Sequence, residues 1–214
     1  MESEAQKKKR AAEILRRLKK HYSDAKIALK YGNPIQLLVA VILSAQCTDK
    51  KVNEVTARLF KKYKTAKDFA VANPKTFEKE IKSTGFYRAK AKSIITSAKM
   101  LVEKYGGTLP KTMEEMTTLH GVARKTANIV LSNAYGVVEG IAVDTHVRQF
   151  ANYCNLSAHS DPVKIERDLM ALFPKKEWFR LAYRIINYNR EMKNKANRES
   201  AKIHLQDLCP NAPA

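Results

Sequence analysis

The sequence predicts an all-α protein, and three observations lead there. Helix-start signals recur along the 214 residues: Asn33-Pro34, Asn73-Pro74 and Asp161-Pro162 each set a capping side chain before a proline, and Thr112-Met113-Glu114-Glu115 has capping-box spacing. Apolar residues after these starts return three and four positions apart, the helical repeat. No stretch shows the convincing apolar–polar alternation of a strand.

From Met1 to about Tyr22, Ile14, Leu15, Leu18 and Tyr22 form one stripe, and Lys7, Lys8, Lys9, Arg10, Arg16, Arg17, Lys19 and Lys20 surround it. This is an amphipathic helix with a basic outer face. After Asn33-Pro34, residues 35–43 are apolar nearly all round, which marks a helix buried at the centre of a helical domain. It ends at Ser44-Ala45-Gln46, and Thr48 or Asp49 caps the next helix, striped by Val52, Val55, Leu59 and Phe60. Gln46 thus stands at a polar corner between two helices, where a glutamine commonly bonds to backbone. Asn73-Pro74 opens a helix ending near Thr84-Gly85, and Phe86 and Tyr87 follow on a short turn, where two aromatics serve equally well as core plugs. A long helix then points Ala91, Ile94, Ile95, Ala98, Leu101 and Val102 inward and stops at Gly106-Gly107. A short helix from Thr112 ends at Leu119, a second runs from about Ala123 to Ala134, and Asp144 opens a third that reaches about Cys154. Past Asp161-Pro162, Ile165, Leu169, Leu172 and Phe173 face inward. The last helix, Lys176 to about Asn189, gathers Trp178, Ala182, Ile185 and Ile186.

Such a chain holds one large domain or two small ones. Forty Lys and Arg against twenty-one Asp and Glu leave a formal charge of +19. That field suits a polyanion, nucleic acid first, although the same charge also solubilises a surface and does not separate DNA from RNA. Cys47, Cys154 and Cys209 are few, odd in number and far apart, which argues against a disulfide framework and for a reducing compartment. No apolar run reaches membrane-spanning length, and the first residues lack the apolar core of a signal peptide, so a soluble intracellular protein is expected.

The chemistry concentrates in two stretches. Leu119-His120-Gly121-Val122-Ala123-Arg124-Lys125-Thr126-Ala127 reads as a tight turn feeding a helix with a lysine in its first turn. A helix start presents unpaired amides and a positive dipole end, a ready seat for a phosphate oxygen. That positive end also disfavours an ammonium, so a lysine there is suited to act as an amine nucleophile. Further on, Ile141-Ala142-Val143-Asp144-Thr145-His146-Val147 places a carboxylate at another helix start, where amides and dipole favour its anion. Taken singly, such a lysine is usually a solvated surface residue and such an aspartate usually a cap.

Together the wordings LHGVARKTA and VDTH resemble the helix-hairpin-helix DNA glycosylases of the endonuclease III family. The likeness extends through Leu43-Ser44-Ala45-Gln46-Cys47-Thr48-Asp49 and Thr84-Gly85-Phe86-Tyr87-Arg88-Ala89-Lys90-Ala91. It implies an all-α fold of two helical domains flanking a DNA-binding cleft. A barrel with the helix-hairpin-helix would span 28–136, and 1–27 with 137–214 would form the second domain. The resemblance makes Lys125 and Asp144 catalytic, facing each other at the cleft. It assigns Gln46 to the gap left by an everted nucleotide, Phe86 to wedging the stack, Tyr87 beside it to DNA binding, and Gly121, Val122, Ala123 and Arg124 to phosphate. His120 replaces the family's usual proline and Ala123 a usual glycine, which bears on how closely that turn approaches phosphate. His146 either orients a neighbour or simply packs.

An amine with a carboxylate implies a bifunctional glycosylase and AP lyase; the resemblance further implies a monomer acting on double-stranded DNA with damaged bases or abasic sites, expected in the cytoplasm or nucleoid. Ring-saturated pyrimidines such as thymine glycol would be its substrates. A monofunctional adenine or mismatch glycosylase would usually lack the lysine, and a non-catalytic hairpin module would need neither residue. The resemblance breaks at the C-terminus. Relatives carry C-x6-C-x2-C-x5-C around a [4Fe–4S] cluster, and the matching positions here are Lys193, Ser200, Ile203 and Cys209. No cluster and no metal are therefore expected. Lys193, Lys195 and Arg198 keep this segment basic, either reaching DNA phosphates or forming a loose tail.

Overall fold

Side chains cap eight of the helix starts: Ser3, Asn33, Thr48, Thr65, Asn73, Thr112, Asp144 and Asp161 each accept a first-turn amide. In this computed structural model, which describes residues 2–193 and 203–211, they give eleven α-helices. These are α1 (Glu4–His21), α2 (Pro34–Ser44), α3 (Asp49–Lys62), α4 (Ala66–Ala70), α5 (Pro74–Ile81), α6 (Tyr87–Tyr105), α7 (Met113–Thr118), α8 (Arg124–Tyr135), α9 (Thr145–Tyr153), α10 (Pro162–Leu172) and α11 (Lys175–Lys193). A 3-10 turn, Lys82–Thr84, precedes α6, and no strand occurs among the described residues. The fold is all-α, as the capping and the repeat predict.

The chain divides into two units, Ala28–Val137 and Met1–Ile27 with Val138–Ala214. In the first, every side chain of α2 from Ile35 to Leu43 is buried, Gln36 included. Each large apolar side chain removed from water there contributes about 1.5–3 kcal/mol. Helices α3, α6 and α8 pack on α2. Tyr63, Phe69 and Phe77 form an aromatic cluster with ring centroids 5.2–6.1 Å apart. Phe69 belongs to α4, a helix absent from the sequence reading: it has one turn and one large apolar residue, too little for a periodic signal. Val102 corrects another expectation, since it is 38% exposed. It lies one position past the stripe that Ile94, Ala98 and Leu101 complete.

In the second unit, Ala11, Ile14, Leu15 and Leu18 of α1 enter a core with Val147, Phe150, Ile165, Leu169, Leu181 and Ile185. Helix α11 continues to Lys193, beyond the expected end near Asn189. The expectation against disulfides, drawn from cysteine number and spacing, is corrected at one pair. Cys154, at the end of α9, is disulfide-bonded to Cys209, and Cys47 alone stays free. Distance along the chain misled here: residues 203–211 fold back so that Ile203, Leu205 and Cys209 join the core. Arg10 fastens the return by donating to the carbonyls of Cys154 and Leu208, and Arg17 pairs with Asp207 at 2.6 Å. The Asn211 amide donates to the Tyr153 carbonyl at 3.0 Å.

Candidate functional site

Within Ala28–Val137, α7 and α8 are joined by a tight hairpin whose Leu119 and Val122 are buried and whose Gly121 has φ 76°. A Cβ on Gly121 would lie 2.5 Å from Ser93 Oγ and 2.7 Å from Ser93 Cβ, so the turn sits directly on α6. Ser97 Oγ donates to the His120 carbonyl at 2.8 Å, and His120 Nδ1 lies 3.2 Å from Ser93 Oγ. The ring and carbonyl of His120 therefore tether the hairpin to α6.

Ala123 is the N-cap of α8 and supplies no capping side chain; the helix's first backbone bond joins the Ala127 amide to the Ala123 carbonyl at 3.0 Å. The amides of Lys125 and Thr126 precede that bond and are the donors a helix start offers an anion. The Lys125 side chain is exposed, on the second residue of the helix, while Ala127, Asn128, Val130 and Leu131 are buried behind it.

Two further loops of this unit carry expected DNA contacts. Gln46 is exposed, with φ 53°, in the turn after α2, and Phe86 is 66% exposed, with φ 47°, at the start of α6. Left-handed backbone is uncommon for residues with a Cβ. Phe86 is no core plug. Tyr87 is half-buried, and the Arg88 guanidinium lies 5.4 Å from its ring centre. Sequence reasoning missed Lys90, buried between these loops. The signal was present, since Lys90, Ile94, Ser97 and Leu101 follow one helical line and all four are buried.

In the other unit, Asp144 caps α9, with Oδ1 accepting the Val147 amide at 2.9 Å. Its Oδ2 has no protein partner among the described residues, which leaves one carboxylate oxygen for a ligand. Ile141 and Val143 are buried before it, and Phe150 meets Tyr188 edge-to-face at 5.6 Å. His146 is half-buried, its carbonyl accepting Asn189 Nδ2 at 2.8 Å. Lys193 ends α11; its side chain, Lys195 and Arg198 lie outside the described residues. No group of three or more His, Cys, Asp or Glu suited to a metal ion occurs among the described residues.

Residues 39–175, which include the hairpin, Lys125 and Asp144, match the HhH-GPD superfamily of base excision DNA repair proteins. The chain is 46% identical over 210 residues to endonuclease III of Synechocystis, covering 98% of this chain and 96% of that one. It is 41% identical to endonuclease III of Bacillus subtilis over 189 residues, covering 88% and 86%. Its structure is similar to that of a trapped endonuclease III–DNA covalent intermediate, with TM-score 0.89 and 39% identity over 95% of this chain and 96% of the other. With a family model matched over more than half of the chain and near-complete coverage of both chains in each comparison, this protein belongs to the endonuclease III family of helix-hairpin-helix DNA glycosylases.

Proposed function

We propose that the protein removes oxidised, ring-saturated pyrimidines from duplex DNA and cuts 3′ to the resulting abasic site, with Lys125 as nucleophile and Asp144 as its carboxylate partner. Family membership makes it a DNA N-glycosylase with AP lyase activity. The reading rests on one observation: an exposed lysine in the uncapped first turn after the hairpin, in a chain 39% identical to a protein trapped covalently on DNA.

Unprotonated Lys125 Nζ attacks C1′ as the bond from C1′ to the base nitrogen breaks. The base leaves with that electron pair and takes up a proton. Ionised Asp144 offsets the positive charge building on the sugar. The C1′–O4′ bond then breaks as O4′ takes a proton from the attached nitrogen, which gives an iminium between C1′ and Nζ and acidifies the C2′ proton. Loss of that proton to water forms a C2′–C3′ double bond and expels the 3′ phosphate; hydrolysis frees the lysine. Gln46 fills the space of the everted nucleotide, Phe86 holds the stack open with Tyr87 beside it on the DNA, and the Gly121–Ala123 turn with Arg124 grips phosphate. Unstacking a base costs a few kcal/mol, roughly, which such wedges offset. The protein acts as a monomer on chromosomal DNA in the cytoplasm or nucleoid.

The same reading has no iron–sulfur cluster. Of the four matching positions only Cys209 carries a ligand, and it is bonded to Cys154, while Ile203 is buried and apolar. This donor set does not fit a cluster held by four thiolates. Iron analysis of protein purified without oxygen is expected to find no stoichiometric iron, and four irons per chain would refute this.

Borohydride reduction on a duplex bearing one abasic site tests the mechanism. A covalent adduct is expected from the native protein and none from Lys125→Ala. An adduct of native yield from that variant removes Lys125 from its role.

A further inference from the structure

We propose that Lys90 is a positioning residue for base eversion: its buried ammonium ties together the two loops that carry Gln46 and Phe86, so that both side chains enter the duplex at a fixed spacing. This rests on the reading of Gln46 and Phe86 given above.

Lys90 is 5% exposed, in the first turn of α6. Its Nζ donates to the Leu43 carbonyl and to the Thr84 carbonyl, both at 2.8 Å. Leu43 lies in the last turn of α2, and Thr84 ends the 3-10 turn. Both carbonyls come at helix ends, where acceptors lack an intrahelical partner and a cation is favoured. Three residues beyond one of them is Gln46, and two beyond the other is Phe86; both are left-handed and exposed. The Lys90 amide also donates to the Phe86 carbonyl at 3.1 Å. Side-chain bonds brace both loops from behind: Ser44 Oγ donates to the Val41 carbonyl and Thr84 Oγ1 to the Ile81 carbonyl, each at 2.8 Å. Strained backbone of this kind persists only where its surroundings over-determine it.

A lysine used only to fill space would be replaced without loss by an apolar side chain, since burying an ammonium is costly unless it is well bonded. Burial holds the Lys90 pKa below its usual value, and the nearby Cys47 acts in the opposite direction. What the charge provides is one donor group that reaches two acceptors on separate segments. Neither carbonyl can move alone without costing the buried ammonium one of its two bonds.

Excision of a ring-saturated pyrimidine from duplex DNA tests this beside borohydride trapping on a single-stranded abasic oligonucleotide, which needs the amine but no eversion from a duplex. Lys90→Met keeps the length and removes the donors. Misplacement by about 1 Å costs roughly 100-fold in rate, so duplex excision is expected to fall about 100-fold while single-strand trapping keeps its native rate. Lys90→Arg, which retains a cation of different reach and guards against misfolding of the methionine variant, is expected to show a smaller loss confined to the duplex. Native duplex excision by Lys90→Met, a loss in Lys90→Arg as large as in Lys90→Met, or equal loss on both substrates overturns the proposal. Gln46→Ala and Phe86→Ala isolate the reading beneath it: if both excise from the duplex at the native rate, the wedge assignment fails, whatever the Lys90 variants do.

Discussion

Helices α8 and α9 carry the two side chains proposed for catalysis at their starts, Lys125 in the first turn and Asp144 at the N-cap, yet their two units secure them by different means. Helix α8 begins without a cap, and its start is set by shape: Gly121 rests on Ser93, the His120 carbonyl is held by Ser97, and Val130 and Leu131 are buried behind Lys125. Helix α9 is pinned at discrete points. Asp144 caps one end, Asn189 holds the His146 carbonyl, and Cys154 at the other end is bonded to Cys209 and accepts from Arg10. A start defined by shape tolerates loss of an exposed side chain and fails when volume is added. One defined by pins fails when a pin is removed.

The largest expected effect uses the first half of that contrast. Lys125→Ala removes an exposed side chain from a helix whose packing lies elsewhere, so stability should change by no more than about 0.5 kcal/mol. Lyase activity, by contrast, should drop to background, because the variant lacks the amine proposed as nucleophile. A variant that loses activity together with several degrees of Tm would show that Lys125 belongs to the packing.

Removing the covalent pin should cost the second unit most. Cys154 and Cys209 are 55 residues apart, and closing a loop of that length restricts the unfolded chain by about 4 kcal/mol on the loop-entropy estimate. The double variant Cys154→Ser with Cys209→Ser should therefore melt well below the native protein. Because α9 is nine residues long, about 13.5 Å, slack at Cys154 reaches Asp144, and excision should weaken before the unit melts. Alkylation supplies an independent check: unfolded, unreduced protein should label only Cys47. Labelling of all three cysteines there would mean that the bond does not form.

Asp144→Asn sharpens the contrast by separating cap from charge. Asparagine caps as well as aspartate, so the fold should hold, while loss of the anion should slow excision about 100- to 1000-fold, the scale of one preorganised electrostatic contact. Asp144→Ala should add about 1 kcal/mol of instability to the same kinetic loss. Excision at the native rate by the asparagine variant would leave Asp144 as a cap alone.

The sequence made the starts of α2, α5, α7 and α10 legible because each is a local event, a capping side chain and the next three residues. The hairpin and the Asp144 start were legible in the same way, through adjacent residues. What holds them was not. Ser93 meets Gly121 across 28 positions, Arg10 meets Cys154 across 144, and Cys154 meets Cys209 across 55. No local pattern encodes partners so far apart. Lys90 was hidden for another reason: charge suggests a surface, and only its place in the line with Ile94, Ser97 and Leu101 suggested burial.

Gly121→Ala is the smallest change and addresses shape directly. Two penalties combine: a left-handed backbone costs a residue with a Cβ roughly 1–2 kcal/mol, and the new methyl meets Ser93 Cβ at 2.7 Å. Ser93→Gly removes the second penalty and leaves the first, so adding it to Gly121→Ala should restore part of the lost stability. Duplex affinity should follow the turn, weakening roughly tenfold in the single variant, about 1.4 kcal/mol, and recovering in the double. Ser93→Gly also frees the His120 ring, while Ser97 keeps its hold on the carbonyl, so the hairpin retains one of its two tethers to α6. If the double variant is no more stable than Gly121→Ala alone, contact with α6 does not set the hairpin, and the distinction between a helix start held by shape and one held by pins collapses.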